Sequence, residues 1–169
     1  GYSYDKKFWG NVVKTFIQYY NLKDGDSILD IGCAKGYMLF DFKNEMKSLN
    51  TYGIDISSYA IENSENSIKP YLKVGNAINL PYPNHYFDLV ISINTIHNLD
   101  ENNCAKAIKE INRVSKKNSF LTVDAYENDN QKSRMDDWNL TALTYKSTKN
   151  WKKFFDENDY KGDYYWFIP

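Results

Sequence analysis

One short segment, Ile28-Leu29-Asp30-Ile31-Gly32-Cys33-Ala34-Lys35-Gly36-Tyr37, constrains this chain more than any other. An apolar run ends in Asp-x-Gly. Gly36 then opens a stretch in which Met38, Leu39, Phe42 and Met46 recur at helical spacing. This order reads as the first strand of a doubly wound α/β sheet turning sharply into a helix, over about 36–48, whose amino end faces a ligand. Gly32 permits a positive φ in that turn, and Gly36 lets a ligand or strand approach the helix closely.

The signals that follow keep the same rhythm. A second apolar stretch, Thr51-Tyr52-Gly53-Ile54-Asp55-Ile56, carries its acid 19 residues after Gly36. An acid at the tip of a second strand, at about that spacing, is placed to accept both hydroxyls of a ribose. A third strand at 71–74 runs into Gly75-Asn76-Ala77. A fourth, Phe87-Asp88-Leu89-Val90-Ile91-Ser92-Ile93, follows Leu80-Pro81-Tyr82-Pro83. Helical stripes occupy 5–20 (Phe8, Trp9, Val12, Val13, Phe16, Ile17, Tyr20), 57–66 with Ser57 as cap, and 101–115 (Cys104, Ala107, Ile108, Ile111, Val114). A fifth strand spans 119–125, a late helix carries Trp151, Phe154 and Phe155, and a last strand spans 163–168. Strands alternating with helices over short connections predict an α/β, Rossmann-like, mostly parallel sheet with helices on both faces.

At 169 residues without an internal repeat or a Pro/Gly-rich linker, the whole of 1–169 reads as one domain. Within it, 1–21 forms an amino-terminal helix and cap, and the polar stretch 126–149 forms a substrate or lid segment. No apolar run reaches membrane-spanning length, and no basic-then-apolar leader opens the chain. The first residue is Gly instead of Met, as expected of either a trimmed end or an added residue. Cys33 and Cys104 are too few and too isolated for a disulfide framework or a metal cluster, so a reducing cytoplasm is expected and no metal site is. The net charge is −1, and only Arg113 and Arg134 stand among the 21 basic residues. A nucleic-acid partner, which calls for a basic stripe with phosphate-binding arginines, is thereby demoted.

Taken jointly, Leu29-Asp30-Ile31-Gly32-Cys33-Ala34-Lys35-Gly36, Gly53-Ile54-Asp55-Ile56-Ser57, Gly75-Asn76-Ala77 with Leu80-Pro81, and Phe87-Asp88-Leu89-Val90 resemble the class I S-adenosylmethionine-dependent methyltransferases, especially their small-molecule, type 11 members. The resemblance covers about 22–125 in register. It implies S-adenosylmethionine as cofactor and S-adenosylhomocysteine as product. It also implies strand order 3-2-1-4-5-7-6 with an antiparallel seventh strand. This chain departs from that order, because after residue 158 there is room for a sixth strand and not for a hairpin of two. The seventh strand is then missing, supplied by residues outside this sequence, or replaced by a partner chain.

The resemblance also distributes roles. The turn of Gly32, Cys33, Ala34 and Gly36 faces the methionyl group, whose carboxylate can meet backbone N–H groups and the helix dipole. Asp30 orients that region through the ammonium group or water, and Asp55 takes the ribose hydroxyls. Ile56 and Ile78 sandwich the adenine, Asn76 with the Ala77 backbone addresses its edge, and Asn94 lines the methionyl side. Asn76 stands where many relatives carry Asp, and an amide still offers both an acceptor and a donor. Gly-x-Gly-x-x-Gly, the fingerprint of a dinucleotide, is not matched, since Ala34 holds the middle position.

Methyl transfer asks for alignment of nucleophile, methyl and sulfur, and sometimes for a base. His97, just after the fourth strand in Asn94-Thr95-Ile96-His97-Asn98, is the base candidate; a structural imidazole is the alternative. Tyr4, Trp9, Arg134, Trp138 and Tyr145 are the substrate candidates, with Arg134 suited to a carboxylate and Asp136 or Asp137 to an amine. The expected reaction is methylation of an oxygen or nitrogen of a small molecule. The alternatives are a cofactor-binding module without transferase activity, serving a larger assembly, and an NAD-type oxidoreductase. The aromatic tail Tyr164-Tyr165-Trp166-Phe167 points to packing, with a homodimer through that edge as a further option.

Overall fold

In the computed structural model, which describes residues 6–168, the elements run α1 (Lys6–Tyr19), β1 (Ser27–Ile31), α2 (Tyr37–Glu45), β2 (Asn50–Asp55), α3 (Ser58–Glu62), β3 (Leu72–Val74), β4 (Phe87–Ile93), α4 (Glu101–Val114), β5 (Ser115–Tyr126), α5 (Asp129–Trp138), β6 (Lys146–Ser147), α6 (Thr148–Glu157) and β7 (Asp163–Phe167). Short 3-10 turns stand at Lys69–Tyr71 and Ile96–Asn98. The sheet runs β3-β2-β1-β4-β5-β6, with β7 also on β5, and all of these pairings are parallel.

Alternation of side chains builds a core on each face of this sheet. Ile28, Leu89 and Ile91 point to one face, where Val13 and Phe16 of α1 and Leu39 and Phe42 of α2 cover them. Leu29, Ile31, Val90, Leu121 and Val123 point to the other face, against Cys104, Ile108 and Ile111 of α4 and Trp151 and Phe155 of α6. Fully burying one such aliphatic side chain is worth about 1.5–3 kcal/mol. Packing of this kind, more than intrinsic propensity, holds helices as short as α2 and α3. Ser57 caps α3 by accepting from Ala60 N–H at 3.1 Å, as its position implied.

Two expected element bounds change. The helix placed over 57–66 ends at Glu62, and the fifth strand extends back to Ser115, whose pairing with Phe87 is separated from the rest of the ladder by a register shift. The stretch 126–149 is no loose loop. Asn128 caps α5 by accepting from Gln131 N–H, and the segment after it is tied to the Ile96–Asn98 turn. There the His97 carbonyl accepts from Leu143 and Thr144 N–H, and Thr144 Oγ1 donates to the Leu99 carbonyl at 2.7 Å. At the carboxyl end, β7 lies directly on β5 and parallel to it, in register from Phe120↔Asp163 to Asp124↔Phe167. Among the described residues no antiparallel strand intervenes.

Candidate functional site

The carboxyl ends of β1, β2 and β4 open into two adjoining clefts of about 360 and 350 Å³ that share Gly32, Ile93 and Asn94. A third, of about 390 Å³, runs from Asn94 to the end of β5 and the start of the 137–141 segment. Asn94 thus lines all three. Its φ of +49° lies in the left-handed region, which asparagine enters more readily than most non-glycine residues.

The first cleft is lined by Asp55 together with Ile56, Asn76, Ala77, Asn98 and Leu99. Two backbone groups hold the Asp55 carboxylate: Ala34 N–H donates to Oδ2 and Ser57 N–H to Oδ1, both at 2.8 Å. These two hydrogen bonds leave Asp55 able to accept from a ligand as well. Each oxygen keeps a second acceptor site, and the two N–H groups preset the direction of the carboxylate. Ile56 is 73% exposed at the lip, where a large apolar side chain gains from being covered. Asn76 Oδ1 accepts from Ile78 N–H at 3.1 Å, an Asx turn that presents Asn76 to the cleft. Ile78 itself packs against the core, and Leu99 supplies further apolar surface.

The second cleft is lined by Trp9, Asp30, Cys33, Ala34, Tyr37 and Met38. Gly32, at φ +79°, forms its floor; a Cβ there would collide with the Thr95 side chain. Gly36, at φ +73°, serves packing, since a Cβ there would meet Leu72 Cδ1 of β3 at 2.8 Å. Gly32 and Cys33 N–H both donate to the Ile54 carbonyl, at 2.7 and 3.1 Å, and Gly36 N–H donates to the Cys33 carbonyl at 2.8 Å. With Ala34 N–H held by Asp55, these turn donors are engaged within the fold. Asp30 is 4% exposed, and burial, reinforced by the nearby Asp55 carboxylate, pushes its carboxyl up to about 7. Burial, with Asp30 and Asp55 adding to it, also raises the Cys33 thiol, so this cysteine packs as a neutral group.

The third cleft contains His97, Asp124, Asp137, Trp138 and Phe167. Trp138 and Phe167 stand with ring centroids 5.6 Å apart. His97 Nδ1 accepts from the Asp124 backbone N–H at 2.9 Å, and Nε2 lies 3.7 Å from Asp124 Oδ2. Burial lowers the imidazole to about 4.

A family model described as a methyltransferase domain matches residues 22–166. The chain belongs to the class I S-adenosylmethionine-dependent methyltransferases. It is 36% identical over 118 residues to an uncharacterized protein of Methanocaldococcus jannaschii, covering 68% of this chain and 43% of that protein. It is 36% identical over 134 residues to the Arabidopsis thaliana tRNA (carboxymethyluridine(34)-5-O)-methyltransferase, covering 78% of this chain and 31% of the relative. The chain thus spans less than half the length of either. Among solved structures, YcgJ of Bacillus subtilis superimposes with a TM-score of 0.71 at 18% identity, covering 88% of this chain and 67% of that one, which shows the shared fold.

Within this methyltransferase domain, the strand tips bring together Asp30, Gly32, Cys33, Ala34, Asp55, Ile56, Asn76, Ala77 and Asn94. Trp9, read as a substrate residue, lines the cleft of Asp30 instead. Trp138 does reach the third cleft. Tyr145 donates to Asp136 on the surface, and Arg134 is exposed on α5, outside the residues lining the clefts. Tyr4 lies outside the described residues. Sequence reasoning missed Leu99 and Asp124. The signal for Asp124 was visible as the one acid in Phe120-Leu121-Thr122-Val123-Asp124-Ala125.

Proposed function

We propose that this domain binds S-adenosylmethionine across the first two clefts and directs its methyl group to an oxygen or nitrogen of a small molecule in the third. The observation that carries this reading is the junction at Asn94, where the cleft of Asp55, the cleft of Asp30 and a separate third cleft meet. The cofactor supplies a methyl group on a positively charged sulfur, which leaves as a neutral thioether.

The residues fit that group. Asp55 has two acceptor sites left for a pair of vicinal hydroxyls, and Ile56 and Leu99 offer apolar surface to a base. Asp30 is a buried carboxylate at the floor of the second cleft, suited to an ammonium group or a bridging water. The sheet tips and the pinned 137–144 segment exclude water and hold the reacting groups in line.

Asp30 gives a pH signature. Its carboxyl stands at about 7 without ligand, and a bound cation pulls it down, so the ligand prefers the ionised form. Affinity for S-adenosylhomocysteine, which keeps the ammonium group, should therefore rise from pH 6 to 8, with proton release near pH 7. Calorimetry in buffers of different ionisation enthalpy reads the released protons, and Asp30→Asn should flatten the profile. The unliganded fold shows the opposite trend. Because the folded value lies above the ordinary 3.8, this group's contribution to stability is full at low pH and is lost as pH rises toward and through about 7.

Titration with S-adenosylmethionine, S-adenosylhomocysteine and NAD separates the reading from its rivals. Binding of NAD alone would make the chain an oxidoreductase domain. If the sulfur ligands bind but labelled methyl reaches no metabolite in a broad screen, the non-catalytic module gains. Bulk tRNA belongs in that screen because of the Arabidopsis relative, and labelling of tRNA alone would replace the small-molecule acceptor. Assembly through the carboxyl-terminal edge is part of the proposal: among the described residues β7 pairs with β5 alone, beside a groove of about 440 Å³ against α1. Sedimentation showing one 19.8 kDa species would remove it.

A further inference from the structure

We infer that the third cleft is an amine subsite in which Asp124, not His97, receives the acceptor's ammonium group and its proton, while His97 positions Asp124; this rests on the methyl-transfer reading above. The hydrogen bond from the Asp124 N–H occupies the lone pair of His97 Nδ1, so in the neutral ring the proton sits on Nε2. A ring so arranged has no free lone pair for an incoming proton. Its Nε2–H instead faces Asp124 Oδ2, 3.7 Å away.

Asp124 has the properties His97 lacks. It is 7% exposed, and its backbone is locked at both ends, by His97 and by the Trp151 Nε1–H that donates to its carbonyl at 2.8 Å. Its carboxylate faces the cleft and accepts no hydrogen bond among the described residues. Burial raises its carboxyl, which makes it a stronger base than an exposed acid.

The rest of the cleft selects for positive charge. Asp137 adds a second carboxylate, and among the described residues no lysine or arginine lines the space. Trp138 and Phe167 also line it, and aromatic rings attract a cation placed over them. An anionic acceptor would meet two carboxylates without a counter-charge, and a neutral alcohol would leave the Asp124 charge unpaired. In the step that follows, the ammonium form gives one proton to Asp124. The freed nitrogen lone pair forms the N–CH3 bond as the C–S bond breaks and its electron pair stays on sulfur. The product leaves as the protonated methylamine, and the proton on Asp124 passes to water.

The test uses the protein saturated with S-adenosylhomocysteine, titrated calorimetrically with benzylamine, benzyl alcohol and benzoate at pH 7. Benzylamine should bind at least about tenfold more tightly than the alcohol, with no detectable binding of benzoate. Asp124→Asn should remove at least about tenfold of the benzylamine affinity with S-adenosylhomocysteine affinity and melting temperature retained. His97→Ala should weaken benzylamine, and His97→Asn, whose side-chain oxygen can accept the Asp124 N–H, should restore it. Alcohol or benzoate binding as tightly as the amine, no amine binding, or an unchanged Asp124→Asn overturns the proposal. Charge selectivity is read on the unaltered protein, so misfolding of a variant cannot hide the answer. If S-adenosylhomocysteine itself fails to bind, the parent reading fails first, and separately.

Discussion

Asp55→Ala is expected to weaken S-adenosylhomocysteine binding by more than about 100-fold. In the proposed pose two hydrogen bonds from ribose hydroxyls to a charged acceptor would be lost, together worth about 3 kcal/mol or more. A second effect acts in the same direction. Ala34 and Ser57 N–H lose the acceptor that fixes them, and Ala34, held at φ +46°, no longer has the contact that offsets its left-handed backbone. Asp55→Asn separates the two contributions, because the amide keeps one acceptor while placing a donor against the other N–H. It should bind with intermediate affinity and melt close to the parent. Calorimetry provides the measurement, and an Asp55→Ala protein within about fivefold of the parent would remove the ribose from this position.

The largest effect on stability is expected at Trp151. Its ring is fully buried between β5 and the rest of α6, in contact with Phe154 and Phe155 at centroid distances of 5.6 and 5.4 Å. Its Nε1–H satisfies the Asp124 carbonyl. Trp151→Ala should cost about 3–5 kcal/mol from the cavity alone. At roughly 2–4 °C per kcal/mol for a chain of this size, the melting temperature should fall by roughly 6–20 °C. Trp151→Phe keeps most of the volume and leaves the carbonyl unsatisfied, a loss of about 1–3 kcal/mol. Thermal melts of the two variants divide packing from hydrogen bonding. A Trp151→Ala protein melting within a degree or so of the parent would show that this side of the sheet adds little to the cooperative unit.

The parts of the site legible in the sequence share one property: they are local. Asp55 accepting from Ser57 N–H and Asn76 in its Asx turn rest on contacts two residues apart, and Gly32 with its positive φ and Asp30 at the strand end are marked by the order of the residues around them. Such interactions leave a signature in residue order. The parts that were not legible depend on meetings across the chain. Leu99 shares a cleft with Ile56 only because the fold brings the turn after β4 to the end of β2. Arg134 and Trp138 share α5, yet only Trp138 reaches the third cleft. The segment read as a lid is held by the His97 carbonyl through two backbone hydrogen bonds that no residue type announces.

By itself, residue order determined that this chain alternates strands and helices, that its first turn needs glycine, and that carboxylates stand at the tips of its first two strands. Periodicity and turn chemistry act over short spans and are written directly into the order of residues. Only the tertiary structure decided which edge β7 takes and which nitrogen of His97 is engaged. It also decided that the acid of β5, standing alone in an apolar run, lines the third cleft. Those outcomes depend on residues 27 positions apart in the case of His97 and Asp124, brought together by the parallel pairing of β4 with β5. Sequence proximity carries no trace of such a contact.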